Sequence, residues 1–405
     1  MSIISALSLD SRSSSRTDEQ ILEIERATQI PLYAKRDIAL VRGEGAYLFD
    51  AAGKRYLDAM SNYGVAALGH AHPRFTAAMV DQLGRLTTGH QSFGNDVRAE
   101  LLVEIGRIAP DGLSRAFLSN SGAEAVEAAL KFAIAKTGRH TIVAARRGYH
   151  GRTLGALSAT ADKKYRETFE PLPLPATHVG FNDADALAAA LTDETAAVVL
   201  EPLQGEGGIH PADADYLARV RQLTRERGIL LIADEIQSGF RTGDPFVTVA
   251  AGVTPDIIVT AKALANGFPI GLTLVTEDIS TALPGGAHGS TFGGNPLAAR
   301  AAVETLRIFR DEGLYAGATA LGSEIMARIT ELKSPQVRAV RGKGLMIGIE
   351  LRKKATPVLR GLQERGVLTL PAGNLVVRLL PPMIWEQAQV DELMLALESA
   401  LAAEQ

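Results

Sequence analysis

GILLIADE, residues 228–235, sets five apolar side chains, Ile229 to Ala233, in an unbroken run and ends on two carboxylates, Asp234 and Glu235. A run without polar alternation reads as a strand covered on both faces, as in a parallel sheet. Working outward, RAFLS (115–119), TIVAA (141–145), AAVVLEP (196–202) and IIVTAK (257–262) have the same character. Between them, AEAVEAALKFAIAKTG (123–138) and DYLARVRQLTRERG (215–228) have helical spacing. In the first, Val126, Ala129, Leu130, Ala133 and Ile134 share one face, and Gly138 supplies the stop. Strands alternating with helices from about residue 115 to 276 predict an α/β fold with a mostly parallel central sheet and helices on both sides. Such sheets bind ligands beyond the carboxyl ends of their strands.

The flanks differ. GAYLFDAAGKRYLDAM (45–60) reads as a hairpin turning at Ala52-Gly53. Beyond about residue 300 come a long helical stretch, VRGKGLMIGIEL (340–351), another helix, VLTLPAGNLVVRLLPP (367–382) and a final helix from about Trp385. The expected organisation is a mobile tail over 1–20, a large domain over 61–298, and a smaller α+β domain built from both chain ends, 21–60 and 299–405.

Size and composition narrow the function. The chain has 405 residues, 46% of them apolar, enough for a large core, and a net charge of −4. Without a long basic run it is not expected to bind nucleic acid, which leaves small molecules or other protein chains as partners. The absence of cysteine excludes disulfides and thiolate metal sites, and fits a cytoplasmic enzyme. No apolar run reaches the roughly 18 residues of a membrane span, so no membrane association is expected. The polar tract SRSSSRTDEQ (11–20) follows the start too soon for a signal peptide, and Asp10, Asp18 and Glu19 argue against a transit segment.

Several residues stand where chemistry is done. Asp234 at a strand's carboxyl end is either a cap or loop carboxylate or a site residue; Lys262 closes a second such strand 28 positions later, which aims two opposite charges into one crevice. Lysines after strands commonly extend to solvent, but Ala261, Ala263, Leu264 and Ala265 surround this one. Desolvation lowers a lysine's pKa and makes it a nucleophilic amine suited to Schiff-base chemistry. SNSGAEA (119–125) starts a helix at Ser121 and is either a plain cap or an anion site of free amides. It matches neither the P-loop nor GxGxxG. GYHGRT (148–153) is either a surface loop or a ligand wall, with Tyr149 for a flat face and Arg152 for a carboxylate. Arg378 interrupts the apolar run of NLVVRLLPP, which favours an anion partner. GSTFGGNP (289–296) is a glycine-rich turn suited to phosphate or to close chain packing. His70 and His72 lack further ligands at matching spacing, so no metal is expected.

SNSGAEAVEAALK, YHGRTLGALSAT, EPLQGEGG, ADEIQ, TAKALANGFPIG and STFGGNPLA, in this order from about residue 30 onward, resemble the class III (ω-type) aminotransferases of the fold-type I pyridoxal-phosphate enzymes. The resemblance implies that Lys262 is the Schiff-base lysine and that Asp234 pairs with the cofactor's ring nitrogen. It implies that Gln237 bonds the ring's 3′ oxygen, Gly122 and Ala123 offer amides to the phosphate with Ser121 close by, and Tyr149 stacks on the ring. Thr291 would reach the phosphate site of a neighbouring subunit, giving a homodimer with shared active sites. Arg378 would bind the α-carboxylate of glutamate, with Glu206 pairing it when an ω-amine donor is bound. Arg152, with Ser290 nearby, would bind the donor's far carboxylate.

Within the family, HGRTLGAL, EPLQGEGG, HGSTFGGNP and NLVVRLLPP look most like the acetylornithine aminotransferase branch, which includes enzymes acting on acylated or carrier-protein-linked lysine and ornithine. The implied reaction moves a terminal amine from such a donor to 2-oxoglutarate, giving a semialdehyde and glutamate in arginine or lysine biosynthesis. Alternatives are an ω-aminotransferase for 4-aminobutyrate or ornithine, a racemase, decarboxylase or aminomutase on the same fold, and a non-catalytic relative. Two departures stand out. QSGFRTG (237–243) is one residue shorter than the family's form, which puts the placing of Arg241 in question, and GHQSFGNDVRAEL (89–101), around His90 and Phe93, lacks the branch's aromatic pattern.

Overall fold

In the computed structural model, which describes residues 16–403, the five apolar runs become strands Arg115–Ser119, Thr141–Ala145, Thr195–Leu200, Leu230–Asp234 and Ile257–Thr260 of one seven-stranded sheet. Ala176–Val179 and Gly271–Val275 complete it. Across the sheet the order runs from Arg115–Ser119 through Gly271–Val275, Ile257–Thr260, Leu230–Asp234, Thr195–Leu200 and Thr141–Ala145 to Ala176–Val179. Only Gly271–Val275 opposes its neighbours; the other pairings are parallel. That strand and Ala176–Val179 were not legible as apolar runs, because a glycine or polar residues interrupt them.

Alternation along the strands explains the two covered faces. Ile142, Ala144, Ala197 and Val199 pack with Val126, Ala129 and Leu130 of helix Gly122–Thr137, whereas Val143, Val198 and Leu231 pack with Leu217 and Val220 of helix Ala214–Glu226. Each fully buried Val, Leu or Ile side chain here contributes about 1.5–3 kcal/mol of transfer free energy. Gly138 ends the first helix in the left-handed region at φ 70, where a glycine carries no steric penalty.

Both chain ends meet beside this sheet. Strands Leu40–Glu44, Tyr47–Asp50 and Arg55–Asp58 form an antiparallel set, and Val367–Leu368 from the far end of the chain adds parallel to Arg55–Asp58. A further antiparallel sheet orders Val337–Lys343, Met346–Leu351, Val376–Leu379 and Leu370–Ala372. One apolar cluster runs through all three regions, joining Leu57, Leu118, Ile258, Val377 and Leu397. Helix Asp18–Thr28 begins inside the stretch expected as tail, because Thr17 and Gln20 form a reciprocal capping box and Leu22 is buried. Residues 1–15 of that tail lie outside the described residues. The last helix, Gln387–Ala402, starts close to the expected Trp385.

Candidate active site

Beyond the carboxyl ends of the central strands lies a cavity of about 320 Å³ whose wall includes Ser121, Gly122, Tyr149, Glu206, Asp234, Gln237 and Lys262. Seven of the expected site residues thus converge from five separate stretches of chain.

Lys262 follows strand Ile257–Thr260 and opens a single 3₁₀ turn, Lys262–Ala265. Its backbone sits at φ 44, an uncommon left-handed geometry for a residue with a side chain, and Ala263, Leu264 and Ala265 anchor the turn in the core. The apolar neighbours hold the turn while the amine faces the cavity. Burial, reinforced by Arg378, pulls the amine down to about 8 against the opposing charges of Glu206, Asp234 and Glu201.

Asp234 ends the adjacent parallel strand and is 3% exposed. Its Oδ1 accepts the amide of Ile236 at 3.1 Å, and its Oδ2 lies 2.7 Å from Nδ1 of His150. His150 is itself buried, with its amide donated to Thr160 Oγ1. Burial alone would depress this imidazole; the hydrogen bond and charge of Asp234 outweigh it and raise its pKa.

At the head of helix Gly122–Thr137, the Ser121 hydroxyl accepts the Glu124 amide and Glu124 accepts the Asn120 amide. The first-turn amides of Gly122 and Ala123 have no partner within the helix and carry the positive end of its dipole. Gly122 lines the cavity, and a Cβ there would lie 2.8 Å from the Ile236 side chain. Ala123 stands one residue further in, outside the cavity wall.

Arg378, fully buried in strand Val376–Leu379, donates Nη1 to Glu206 at 2.6 Å and to Gln237 Oε1 at 3.0 Å. Burial would raise the Glu206 carboxyl, but Arg378 holds it below the usual carboxylate range. Arg378 therefore reaches the cavity through these two partners rather than lining it.

Besides Ala123 and Arg378, three further expected residues lie off this wall. Arg152 lays its guanidinium 3.8 Å over the Tyr165 ring and 5.8 Å from that of Tyr149. Ser290 accepts Nδ2 of Asn120 and the Gly293 amide, each at 3.0 Å, and Thr291 is exposed beside it. Arg241, on the shortened loop, is fully buried, donates to the carbonyls of Leu345 and Pro381, and is depressed by burial to about 10. It serves the interior of the fold, not the cavity wall. Phe93 is exposed on the other departing segment. His70 is paired with Asp58 at 2.8 Å, and His72 lies 3.6 Å from Glu312.

Two titratable wall residues, His150 and Glu201, had no role assigned from the sequence. Glu201 did carry a signal, since it follows the apolar run 196–200 much as Asp234 closes its own. The donor set fits pyridoxal phosphate: a depressed amine, a carboxylate at a strand end, helix-start amides for an anion, and an aromatic wall share one enclosure.

Comparisons with known proteins agree. The family model for class-III aminotransferases matches residues 32–401. The chain is 45% identical over 384 residues to the [LysW]-aminoadipate semialdehyde transaminase of Deinococcus radiodurans, covering 94% of this chain and 90% of that protein. It is 41% identical over 376 residues to the acetylornithine aminotransferase of Methanothermobacter thermautotrophicus, covering 92% and 96%. Among solved structures it is similar to ornithine aminotransferase from Toxoplasma gondii, with partial occupancy of pyridoxal phosphate at the active site, at a TM-score of 0.91 and 32% identity, covering 96% and 95%. The chain belongs to the class-III aminotransferases, pyridoxal-phosphate-dependent enzymes of fold type I.

Proposed function

We propose that this enzyme transfers the terminal amino group of an N-acylated lysine or ornithine to 2-oxoglutarate, releasing a semialdehyde and glutamate. The observation that carries this reading is the 2.6 Å Glu206–Arg378 pair at the cavity that Lys262 faces. Glutamate needs its α-carboxylate held, and Arg378 offers that grip when Glu206 turns away. A donor that enters by its terminal amine brings no carboxylate to that spot, and Glu206 then keeps the buried arginine neutralised.

Bound pyridoxal phosphate supplies an electron-accepting ring that carries the amino group between the two half-reactions. Around it, Asp234 places negative charge for the ring nitrogen, oriented by His150, and Gln237 is assigned to the ring's 3′ oxygen. Gly122 and Ala123, with Ser121, meet the phosphate, and Tyr149 covers the ring face. Lys262 Nζ, facing the same cavity, would take and hold the proton of the substrate carbon. Arg152, with Ser290, grips the donor's far carboxylate. Thr291, exposed on its own chain, completes the phosphate site of a second copy, so the working unit is a homodimer, and we place it in the cytoplasm. The ends of the chain, 21–60 and 299–405, form the smaller unit that delivers Arg378 to the large one.

A second cavity, of about 540 Å³, shares Tyr149 and Glu206 with the first and is lined by Arg146, Arg147, Lys163, Lys164 and Arg166. Arg146 and Lys163 have no ion pair among the described residues. This cationic chamber supports a donor whose acyl group is anionic, such as one carried on a protein, in keeping with the relatives named for [LysW]-linked substrates. Initial rates with 2-oxoglutarate against N-acetylornithine, acyl-lysine, free ornithine and 4-aminobutyrate test the reading. An acylated donor is expected to give the highest kcat/KM, and a preference for 4-aminobutyrate or free ornithine overturns it.

A further inference from the structure

Glu201 directly follows Thr195–Leu200, the middle one of three parallel strands beyond whose carboxyl ends lie Tyr149, Glu201 and Asp234. It is 5% exposed, and its two oxygens accept amides from two different loops. Oε1 takes the Tyr149 amide at 2.9 Å, and Oε2 takes the Gly205 amide at 2.9 Å. Tyr149 is the aromatic wall of the cavity, and Gly205 immediately precedes Glu206. Neither donor is a cation, and burial pushes this carboxyl up to about 7 against the nearby charge of His150 and both amides. A buried carboxylate is costly, yet among side chains only a carboxylate presents two oxygens that both accept.

The Glu206 loop is also fixed on its other side. Arg341 donates Nη2 to the Gly208 carbonyl at 2.6 Å and Nε to the Ile209 carbonyl at 2.7 Å. At the near shoulder, a Cβ on Gly205 would run into the Gln237 side chain. The backbone of Glu206 is thus pinned on both sides, and Glu206 can leave Arg378 only by turning its side chain.

We infer that Glu201 is a positioning residue that ties the Tyr149 loop to the Glu206 loop and so sets the spacing between the aromatic wall and the Glu206–Arg378 pair. The tie is a property of the folded chain. Its consequence for donor choice rests on the proposed transamination.

The test compares Glu201→Gln with Glu235→Gln in the holoenzyme. Glu235 is equally buried but bonds Ser238 and Thr248, away from both loops. Amide hydrogen exchange is followed over peptides 146–153 and 203–209, and kcat/KM for glutamate and for a terminal-amine donor is measured in separate half-reactions at equal cofactor content. Glu201→Gln, which keeps one accepting oxygen and turns the other into a donor, is expected to speed exchange in both peptides together by at least about tenfold. It is also expected to shift the ratio of the two kcat/KM values at least about fivefold, with Glu235→Gln changing neither. Protection kept in either peptide, or a ratio within about twofold of wild type, overturns the inference. If Glu201→Gln does not fold, exchange in the wild-type protein decides. Slow exchange at both Tyr149 and Gly205 is expected, and exchange at either as fast as in an exposed loop refutes the tie. Wild-type turnover with any amine donor tests the transaminase reading separately.

Discussion

Nδ1 of His150 meets Oδ2 of Asp234 at 2.7 Å, with the two side chains 0% and 3% exposed. The contact reaches across one strand, because Thr195–Leu200 lies between the one that leads into His150 and the one that ends in Asp234. It fixes the carboxylate's orientation and leaves the aspartate's charge facing the cavity. Asp234→Asn removes that charge and with it the strongest influences that raise His150, leaving only Glu201 to oppose burial. We expect kcat to fall at least about a hundredfold while the protein remains folded. Turnover and thermal melting measured on the same preparation check this, and near-wild-type kcat contradicts it.

Lys262 gives a pH signature. Its amine is pulled down to about 8 from the ordinary lysine value of 10.5, so the neutral nucleophile is abundant above about 8. The rate at which cofactor-free protein recaptures pyridoxal phosphate should climb through pH about 8 and then level; a midpoint near 10.5 contradicts the assignment. The same shift has a stability sign. Between those two values the unfolded chain holds a proton that the folded chain has shed, so this group's contribution to stability rises with pH there.

The two arginines should separate the substrates. Arg378→Ala is expected to lower kcat/KM for glutamate by at least about tenfold more than for the terminal-amine donor, and Arg152→Ala to do the reverse. Half-reaction kinetics with each donor decide the matter, and equal losses from both variants contradict the division of labour. Because Arg152 already rests on Tyr165, Tyr165→Ala should weaken the terminal-amine donor in the same direction.

How far the sequence could be read depended on the range of the contact concerned. The strands Leu230–Asp234 and Ile257–Thr260 were legible from unbroken apolar runs, and Asp234 and Lys262 from their places at the ends of those runs. Gly138 was legible because stopping a helix is a local matter. The Glu206–Arg378 pair spans 172 positions and came only from family resemblance. His150 sits in a loop motif that reads equally well as surface, and only the strand order brings it against Asp234. The burial of Arg241 likewise depends on carbonyls more than a hundred positions away, which no spacing rule could supply.

Gly271 tests the packing beneath the helix head. It begins the antiparallel strand Gly271–Val275, and a Cβ there would run into the Ser121 carbonyl and the Ser119 hydroxyl. Gly271→Ala is expected to cost about 1–3 kcal/mol of stability by overpacking. It should also weaken cofactor affinity by displacing Ser121. Denaturant unfolding and cofactor titration read the two effects, and an unchanged cofactor affinity contradicts the role given to the Ser121 turn.

Shared sites predict rescue in trans. Chains carrying Lys262→Ala and chains carrying Thr291→Arg should each form inactive homodimers, whereas hybrids of the two contain one site with both native residues. Mixed and reassembled protein is expected to recover about a quarter of wild-type activity, the statistical share when half the dimers are hybrids with one working site. No recovery in hybrids shown to form contradicts the placing of Thr291 in a neighbouring site.

Turnover of Lys262→Ala reaches the central claim most directly. With saturating 2-oxoglutarate and the best acylated donor, the folded, dimeric variant is predicted to form no glutamate above the uncatalysed background. Glutamate formation at an appreciable fraction of the wild-type rate would contradict the account, because no other residue in this structure is assigned to move the proton.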